Sequence, residues 1–337
     1  MRTLTRIHRV GRSACLALLA GAVLVAQTQT PTWPREPENP SAPKPADVPQ
    51  TVAAFIGEYQ NDSGAHLYLL ERDGKFWTII DRGEPQQLSH LSALASADGS
   101  ARAITLPSGT YRRLQVGPEG GGQLHVTPVR PVAEVLKESL STPQPIQTGD
   151  FKAPDLVELT KLDPTIKLDI RYATTNNFLG AIFYAEARAF LQRPAADAVV
   201  RVVQALKPLG YGLLIHDGYR PWYVTRTFWE CTPEDKHWLV ANPASGSKHN
   251  RGAAVDLTLY DLKTGAVIEM PSTYDESTPR AYAFYPGGTS LQRWHRALLR
   301  RLMEAEGFTV NPEEWWHFDY KDWQNYAVAN VTFDKIK

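Results

Sequence analysis

Ser247-Lys248-His249-Asn250-Arg251-Gly252-Ala253-Ala254-Val255-Asp256 organises the carboxyl half of this chain, and Glu314-Trp315-Trp316-His317 answers it near the end. From Ala253 onward the residues alternate. Val255, Leu257 and Leu259 fall on one face of a strand, and Ala254, Asp256 and Thr258 on the other. An acid flanked by such small neighbours directs its carboxylate into a cleft rather than a core. His249 lies on the Asn250-Arg251-Gly252 turn that leads into this strand, close enough for both side chains to reach one ion. Alone, the pair reads equally as a surface histidine and a solvated strand-edge aspartate. His317 adds a second imidazole, and two imidazoles with one carboxylate leave a tetrahedral zinc one open position for water. Glu314 is then the free carboxylate, a candidate general base whose pKa must be raised within walls of tryptophan. In a continuous strand the odd spacing puts Glu314 and His317 on opposite faces, so their cooperation requires a bend near Asn311-Pro312.

Working outward, Asp217-Gly218-Tyr219-Arg220-Pro221 closes the apolar strand 211–216 and opens a helix. Arg220 thus projects from a strand's carboxyl end, where a guanidinium can stabilise an oxyanion. The alternative is a plain salt bridge to Asp217. Residues 194–206 carry Val199, Val202, Val203 and Leu206 at helical spacing, with Pro194 acceptable in the first turn. Leu291, Trp294, Leu298 and Leu302 make a second helical stripe, closed by Gly307.

The amino half is organised differently. Arg2, Arg6, Arg9 and Arg12 precede an uncharged apolar stretch over 14–26, too short to span a bilayer comfortably. Residues 1–28 read as a secretory signal peptide, so the expected location is periplasmic or secreted, with no stable membrane anchor after cleavage. Residues 29–50 are a proline-rich linker. Residues 51–130 read as a small antiparallel β domain, a barrel or sandwich, with a hairpin across Asp73-Gly74 and short strands at 101–106, 111–116 and 123–127. The glycine cluster at 117–122 is a turn rather than a phosphate loop, since no Lys-Ser/Thr follows it. Residues 131–152 form a second linker with one short helix, and 153–337 an α+β domain whose central antiparallel sheet is packed by helices.

Lys+Arg equals Asp+Glu at 36 each, so no overall field points to nucleic acid. Hydrophobic residues at 43% and charged ones at 21% fit a folded globular chain. Cys231 is the single cysteine beyond the leader, so the exported protein is held by its core rather than by an internal disulfide, and a small buried thiol is expected there.

From about Asp169 to Phe333 the chain resembles the zinc D-alanyl-D-alanine dipeptidases related to the vancomycin-resistance enzyme, within the D-Ala-D-Ala peptidases that share a fold with the hedgehog signalling domain. The pieces carrying the resemblance are Asp169-Ile170-Arg171-Tyr172-Ala173-Thr174, Asp217-Gly218-Tyr219-Arg220-Pro221, the Ser247–Asp256 run, Ser272-Thr273-Tyr274-Asp275 and Glu314-Trp315-Trp316-His317. It implies one zinc on His249, Asp256 and His317, with Glu314 as base and Arg220 as transition-state stabiliser. It also implies that Asp275 and Tyr172 receive the substrate's ammonium end, and Ser247 and Tyr184 its carboxylate end. Tyr282 stands where relatives often carry a histidine. The implied substrate is a small D,D-dipeptide, with cell-wall fragments as a further partner. A D,D-carboxypeptidase for peptidoglycan stem peptides and a non-catalytic cell-wall binding protein are the rival expectations.

Overall fold

The structure is a computed structural model and describes residues 42–89, 92–95, 101–114 and 124–336. The readings for residues 1–28, for most of 29–50 and for the glycine cluster at 117–122 lie outside these residues. Among the described residues no helix is long and apolar enough to cross a membrane.

After a single helical turn, α1 (Gln50–Ala53), come seven strands: β1 (Gly57–Gln60), β2 (His66–Arg72), β3 (Lys75–Ile80), β4 (Gln86–Gln87), β5 (Ser92–Ala95), β6 (Ala101–Leu106) and β7 (Gly109–Arg113). They form one antiparallel sheet in the order β4-β3-β2-β1-β7-β6-β5. The β2–β3 turn is the expected one: Asp73 and Gly74 both have positive φ, 50° and 75°, which matches the twist of the flanking strands. β2 is buried on both faces. Leu67 and Leu69 join Tyr59, Ile104 and Tyr111 in a small core of the sheet's own. Tyr68 and Leu70, on the other face, pack with Ile79 against Tyr285 of the carboxyl half.

Residues 124–128 add no strand to this sheet, contrary to the sequence expectation. Their backbone is claimed elsewhere: Leu124 N–H donates to Asp275 O at 2.9 Å and Val126 N–H to Phe178 O at 2.7 Å. Helix α2 (Val132–Ser141) follows, then β8 (Leu156–Glu158), the short α3 (Leu159–Leu162), β9 (Lys167–Leu168), β10 (Phe190–Gln192), α4 (Arg193–Leu206), β11 (Tyr211–Asp217), α5 (Trp222–Cys231), β12 (Ala254–Asp261), α6 (Ser290–Ala305), β13 (Phe308–Asn311) and β14 (Glu314–Tyr320).

The central sheet runs β13-β14-β12-β11-β9, and β8 pairs separately with β10. It is antiparallel except for β9, which lies parallel to β11. Helices α4 and α6 cover one face. The apolar stripe of α4 (Val199, Val202, Val203, Leu206) is fully buried there, each side chain contributing about 1.5–3 kcal/mol. Thr289 and Gln292 form a reciprocal cap at the start of α6, and Gly307, at φ 89°, supplies the left-handed residue that ends it. With Val255, Leu257 and Leu259 committed to that core, the opposite face of β12 is left for chemistry. Cys231 is buried and free, and burial pushes its thiol up to about 11, which suits a structural role.

Candidate active site

Three adjacent strands place Asp217, Asp256 and His317 in one cross-strand row. His249 joins them from a short helical turn that ends at Gly252, whose φ of 65° lets the chain reverse into β12. The donors His249 Nε2, Asp256 Oδ1 and His317 Nδ1 lie 3.2, 2.9 and 3.4 Å from one another. A tetrahedral zinc with nitrogen and oxygen ligands needs donors about 3.3 Å apart, so the set fits such an ion. The far ring nitrogens are both occupied: His249 Nδ1 lies 2.8 Å from Gly218 O, and His317 Nε2 lies 2.9 Å from Asp319 Oδ1. Each acceptor takes the remaining N–H and so turns the other nitrogen's lone pair toward the shared point.

The electrostatics also favour a cation. Burial alone would raise the Asp256 carboxyl, yet His249 and His317 hold it well below the usual carboxylate range. Burial opposes charge on His317, but hydrogen bonds to Asp256 and Asp319 push it up to about 10. The pocket thus draws positive charge to the point where the three donors meet.

Glu314 meets the requirement set by its spacing. Val310 pairs with Phe318 and Asn311 with Glu314, so β14 carries extra residues between the two pairs and its register shifts. That bulge brings Glu314 Oε2 to 3.7 Å from His317 Nδ1, and Asn311 Nδ2 donates to the same oxygen at 3.0 Å. The surrounding protein pushes the Glu314 carboxyl above its ordinary value by desolvation, with His317 opposing and Asp256 reinforcing. Its side chain is 39% exposed, so solvent in the cleft moderates the effect.

Arg220 makes the salt bridge to Asp217 and also reaches the cleft. Its Nε and Nη2 each lie 2.9 Å from Asp217 Oδ2, while the guanidinium sits 5.1 Å from the ring centres of both Tyr172 and Phe228 and lines the cleft. The cleft, about 390 Å³, is also lined by His249, Asp256, Glu314, His317, Asp275, Tyr172 and Ser247.

Residues 152–336 match the family described as D-ala-D-ala dipeptidase. The chain is 31% identical to the D-alanyl-D-alanine dipeptidase of Escherichia coli over 179 residues, 53% of this chain and 91% of that protein. It is 34% identical to the Enterococcus faecalis enzyme of that name over 188 residues (49% and 93%) and 33% identical to the Streptomyces coelicolor one over 193 residues (52% and 93%). The chain belongs to the D-Ala-D-Ala dipeptidase family.

Within that family span, Asp275 lines the cleft. Its φ is 58°, and Oδ2 is buried with no hydrogen-bond partner among the described residues. Burial and the negative charges of Asp256 and Glu314 raise its carboxyl well above the ordinary value. Tyr172 is buried beside it. The Ser247 hydroxyl oxygen accepts from His249 N–H at 3.2 Å, leaving its own proton to donate.

Tyr184 is expected from the resemblance at the substrate's carboxylate end. It does not line the cleft; its hydroxyl donates to Asp217 Oδ1 at 2.9 Å, behind Arg220. Burial against Phe333 and Tyr172 keeps it in that second layer. Tyr282 lines the cleft and also packs against the cluster of Tyr68, Leu70, Ile79 and Tyr285.

Several supporting residues escaped the sequence reading. Asp319 stands two residues beyond His317 on the same strand face, a spacing that marks it in retrospect. Lys248 Nζ pairs with its other oxygen. Tyr274 donates to Asp256 Oδ2 at 3.1 Å. Asn250, fully buried, bonds Arg220 O and Thr225 Oγ1, both at 2.8 Å. Both of these last two lie inside the pieces that carry the family resemblance, but residue order alone gives neither a role.

Proposed function

We propose that this protein hydrolyses the D-alanyl-D-alanine dipeptide to two D-alanines, with one zinc held by His249, Asp256 and His317. The observation that carries the reading is the convergence of those three donors beneath Glu314, in a cleft that also offers the unsatisfied carboxylate of Asp275. Family membership supplies the substrate: the relatives are D-alanyl-D-alanine dipeptidases by name.

When bound, zinc supplies Lewis-acid polarisation of the scissile carbonyl and activation of water. Every other role falls to the chain. Asp275 accepts the substrate ammonium, its raised pKa falling back as that positive charge arrives. Tyr172 closes the same end, and the Ser247 hydroxyl donates to the terminal carboxylate. Glu314 takes a proton from the attacking water as oxygen bonds to the carbonyl carbon. It then delivers that proton to the amide nitrogen as the C–N bond breaks. Arg220, locked by Asp217, offers its fixed guanidinium to the developing oxyanion. Tyr184 serves here only through Asp217.

Loss of dipeptide turnover on chelation, recovery with zinc, and a fall on the order of 10²- to 10⁴-fold for Glu314→Gln with zinc retained are the expected results. Undiminished activity in either test removes the mechanism. The unsatisfied Asp275 carboxylate favours a free ammonium over the N-extended stem peptides of a carboxypeptidase.

The Arg-rich and apolar leader at 1–28 supports export to the periplasm or medium, and amino-terminal sequencing of the mature protein tests it. Strands β1–β7 are proposed as an all-β module fused to the catalytic part through the Tyr68–Tyr285 contact.

A further inference from the structure

The family span begins at residue 152, yet a segment well before it enters the cleft. Residues 124–126 run along the catalytic part. Leu124 and Val126 face inward, and His125 and Thr127 face solvent. Both inward residues spend their N–H groups on that part: Leu124 on Asp275 O and Val126 on Phe178 O. Val126, 3% exposed, belongs to the main core. The segment is tied down beyond this point, because Val129 N–H donates to Cys231 O at 2.9 Å and Arg226 of α5 donates to Ser139 and Thr142 at the end of α2. The Leu124 side chain, half-buried, forms cleft wall together with Phe178 and Phe228.

We propose that residues 124–126 are a specificity strap, in which Leu124 covers the space beyond Asp275 that an N-terminal extension of the substrate would occupy. The proposal rests on the dipeptidase reading and deepens it, by assigning the preference for an unblocked D,D-dipeptide to a residue outside the family span. Two physical effects act together. The leucine side chain fills the wall next to the ammonium site, so an acyl group on that nitrogen meets carbon rather than water. The Leu124 N–H bonds the carbonyl of a residue in left-handed conformation, which a non-glycine residue keeps only when its neighbours hold it. Leu124 is thus a positioning and specificity residue, and it takes no part in bond making.

Shortening Leu124 to alanine removes as many heavy atoms as an acetyl group adds, and it leaves the backbone N–H in place. The test is calorimetric titration of the full-length, zinc-loaded Glu314→Gln protein, with and without Leu124→Ala, against D-Ala-D-Ala and its N-acetyl derivative. Because Glu314→Gln slows turnover by the factor expected above, binding is read apart from catalysis. The expected result is preference for the free dipeptide with Leu124 present. That preference should shrink by about tenfold or more when the side chain is shortened, chiefly through tighter binding of the acetylated ligand. If the free dipeptide binds well and the preference is the same in both proteins, the strap is overturned and the dipeptidase reading stands. If the free dipeptide binds neither protein, both fall. Leu124→Trp supplies the opposite arm: it should weaken both ligands, and unchanged binding of the two also overturns the proposal.

Discussion

Asp319 accepts the Nε2–H of His317 at 2.9 Å, from the same face of the same strand. That contact fixes which imidazole nitrogen is left bare for a cation, and it is itself braced by Lys248. Replacing Asp319 by alanine should free the ring to rotate and lower its basicity, weakening zinc binding by about 10- to 100-fold. Competition with a chromogenic chelator measures this directly. Unchanged affinity would mean that Asp319 does not orient the ligand.

Much of this centre is legible from residue order because its chemistry is carried by residue type. Two imidazoles, an aspartate on an alternating strand and a nearby glutamate point to a candidate metal site from residue order, and the fold brings His249, Asp256 and His317 together. The helices over 194–206 and 291–302 were equally plain, since their stripes repeat at the helical period. Geometry made by a register shift is different. The odd spacing of Glu314 and His317 announced that a bend was needed, but the bulge opposite Val310 and Asn311 is a property of strand pairing. The misplaced strand at 123–127 failed for a related reason. An extended segment hydrogen-bonds whatever backbone it meets, and the N–H groups of Leu124 and Val126 meet Asp275 and Phe178 rather than an edge of the β1–β7 sheet. The resemblance implies Tyr184 at the substrate's carboxylate end, but Tyr184 lies outside every piece that carries the resemblance, and its hydroxyl donates to Asp217.

Asp275 holds a carboxylate where the fold would prefer a neutral group. Because burial raises its folded pKa above the unfolded value, the metal-free native state is favoured at low pH and loses that advantage as pH rises through the folded pKa. Asp275→Asn keeps the shape, tolerates the positive φ and carries no charge to bury. The metal-free variant should therefore melt higher than the parent at neutral pH, the gap closing toward acid below the unfolded carboxyl pKa of about 3.9. Its KM for the free dipeptide should rise sharply once zinc is restored. A variant that melts no higher at neutral pH would refute the idea that stability is given up here for ammonium binding.

Glu71 ties β2 to the catalytic part. Its Oε2 accepts from the Ser290 N–H at 2.7 Å, at the first turn of α6, and Oε1 accepts from Gly74 N–H in the β2–β3 turn. The carboxylate thus satisfies a helix-end donor and complements the positive end of the helix dipole. Glu71→Ala should cost about 1–3 kcal/mol in denaturant unfolding, mostly through the stranded donors. Kinetic constants measured below the transition should stay near those of the parent, since Glu71 does not line the cleft. A cost within about 0.5 kcal/mol, the ordinary range for surface substitutions, would show that the sheet is not held to α6 through this residue.

Arg220 must serve Asp217 and the cleft at once, and only a planar fork does both. Its Nε and Nη2 are spent on Asp217 Oδ2, while the face of the guanidinium lies over Tyr172 and Phe228. A lysine ammonium is a compact point charge: it reaches Asp217 or turns toward the substrate, and it lacks the flat surface that stacks on the rings. Arg220→Lys should therefore keep its fold and bind the dipeptide with similar KM, yet lose about 10²-fold or more in kcat, the scale on which a fixed oxyanion donor contributes. Arg220→Ala with added guanidinium is the complementary test, since partial rescue of kcat assigns the loss to the missing cation rather than to a disturbed cleft. A lysine variant with undiminished kcat would reduce Arg220 to the salt bridge that its spacing from Asp217 first suggested.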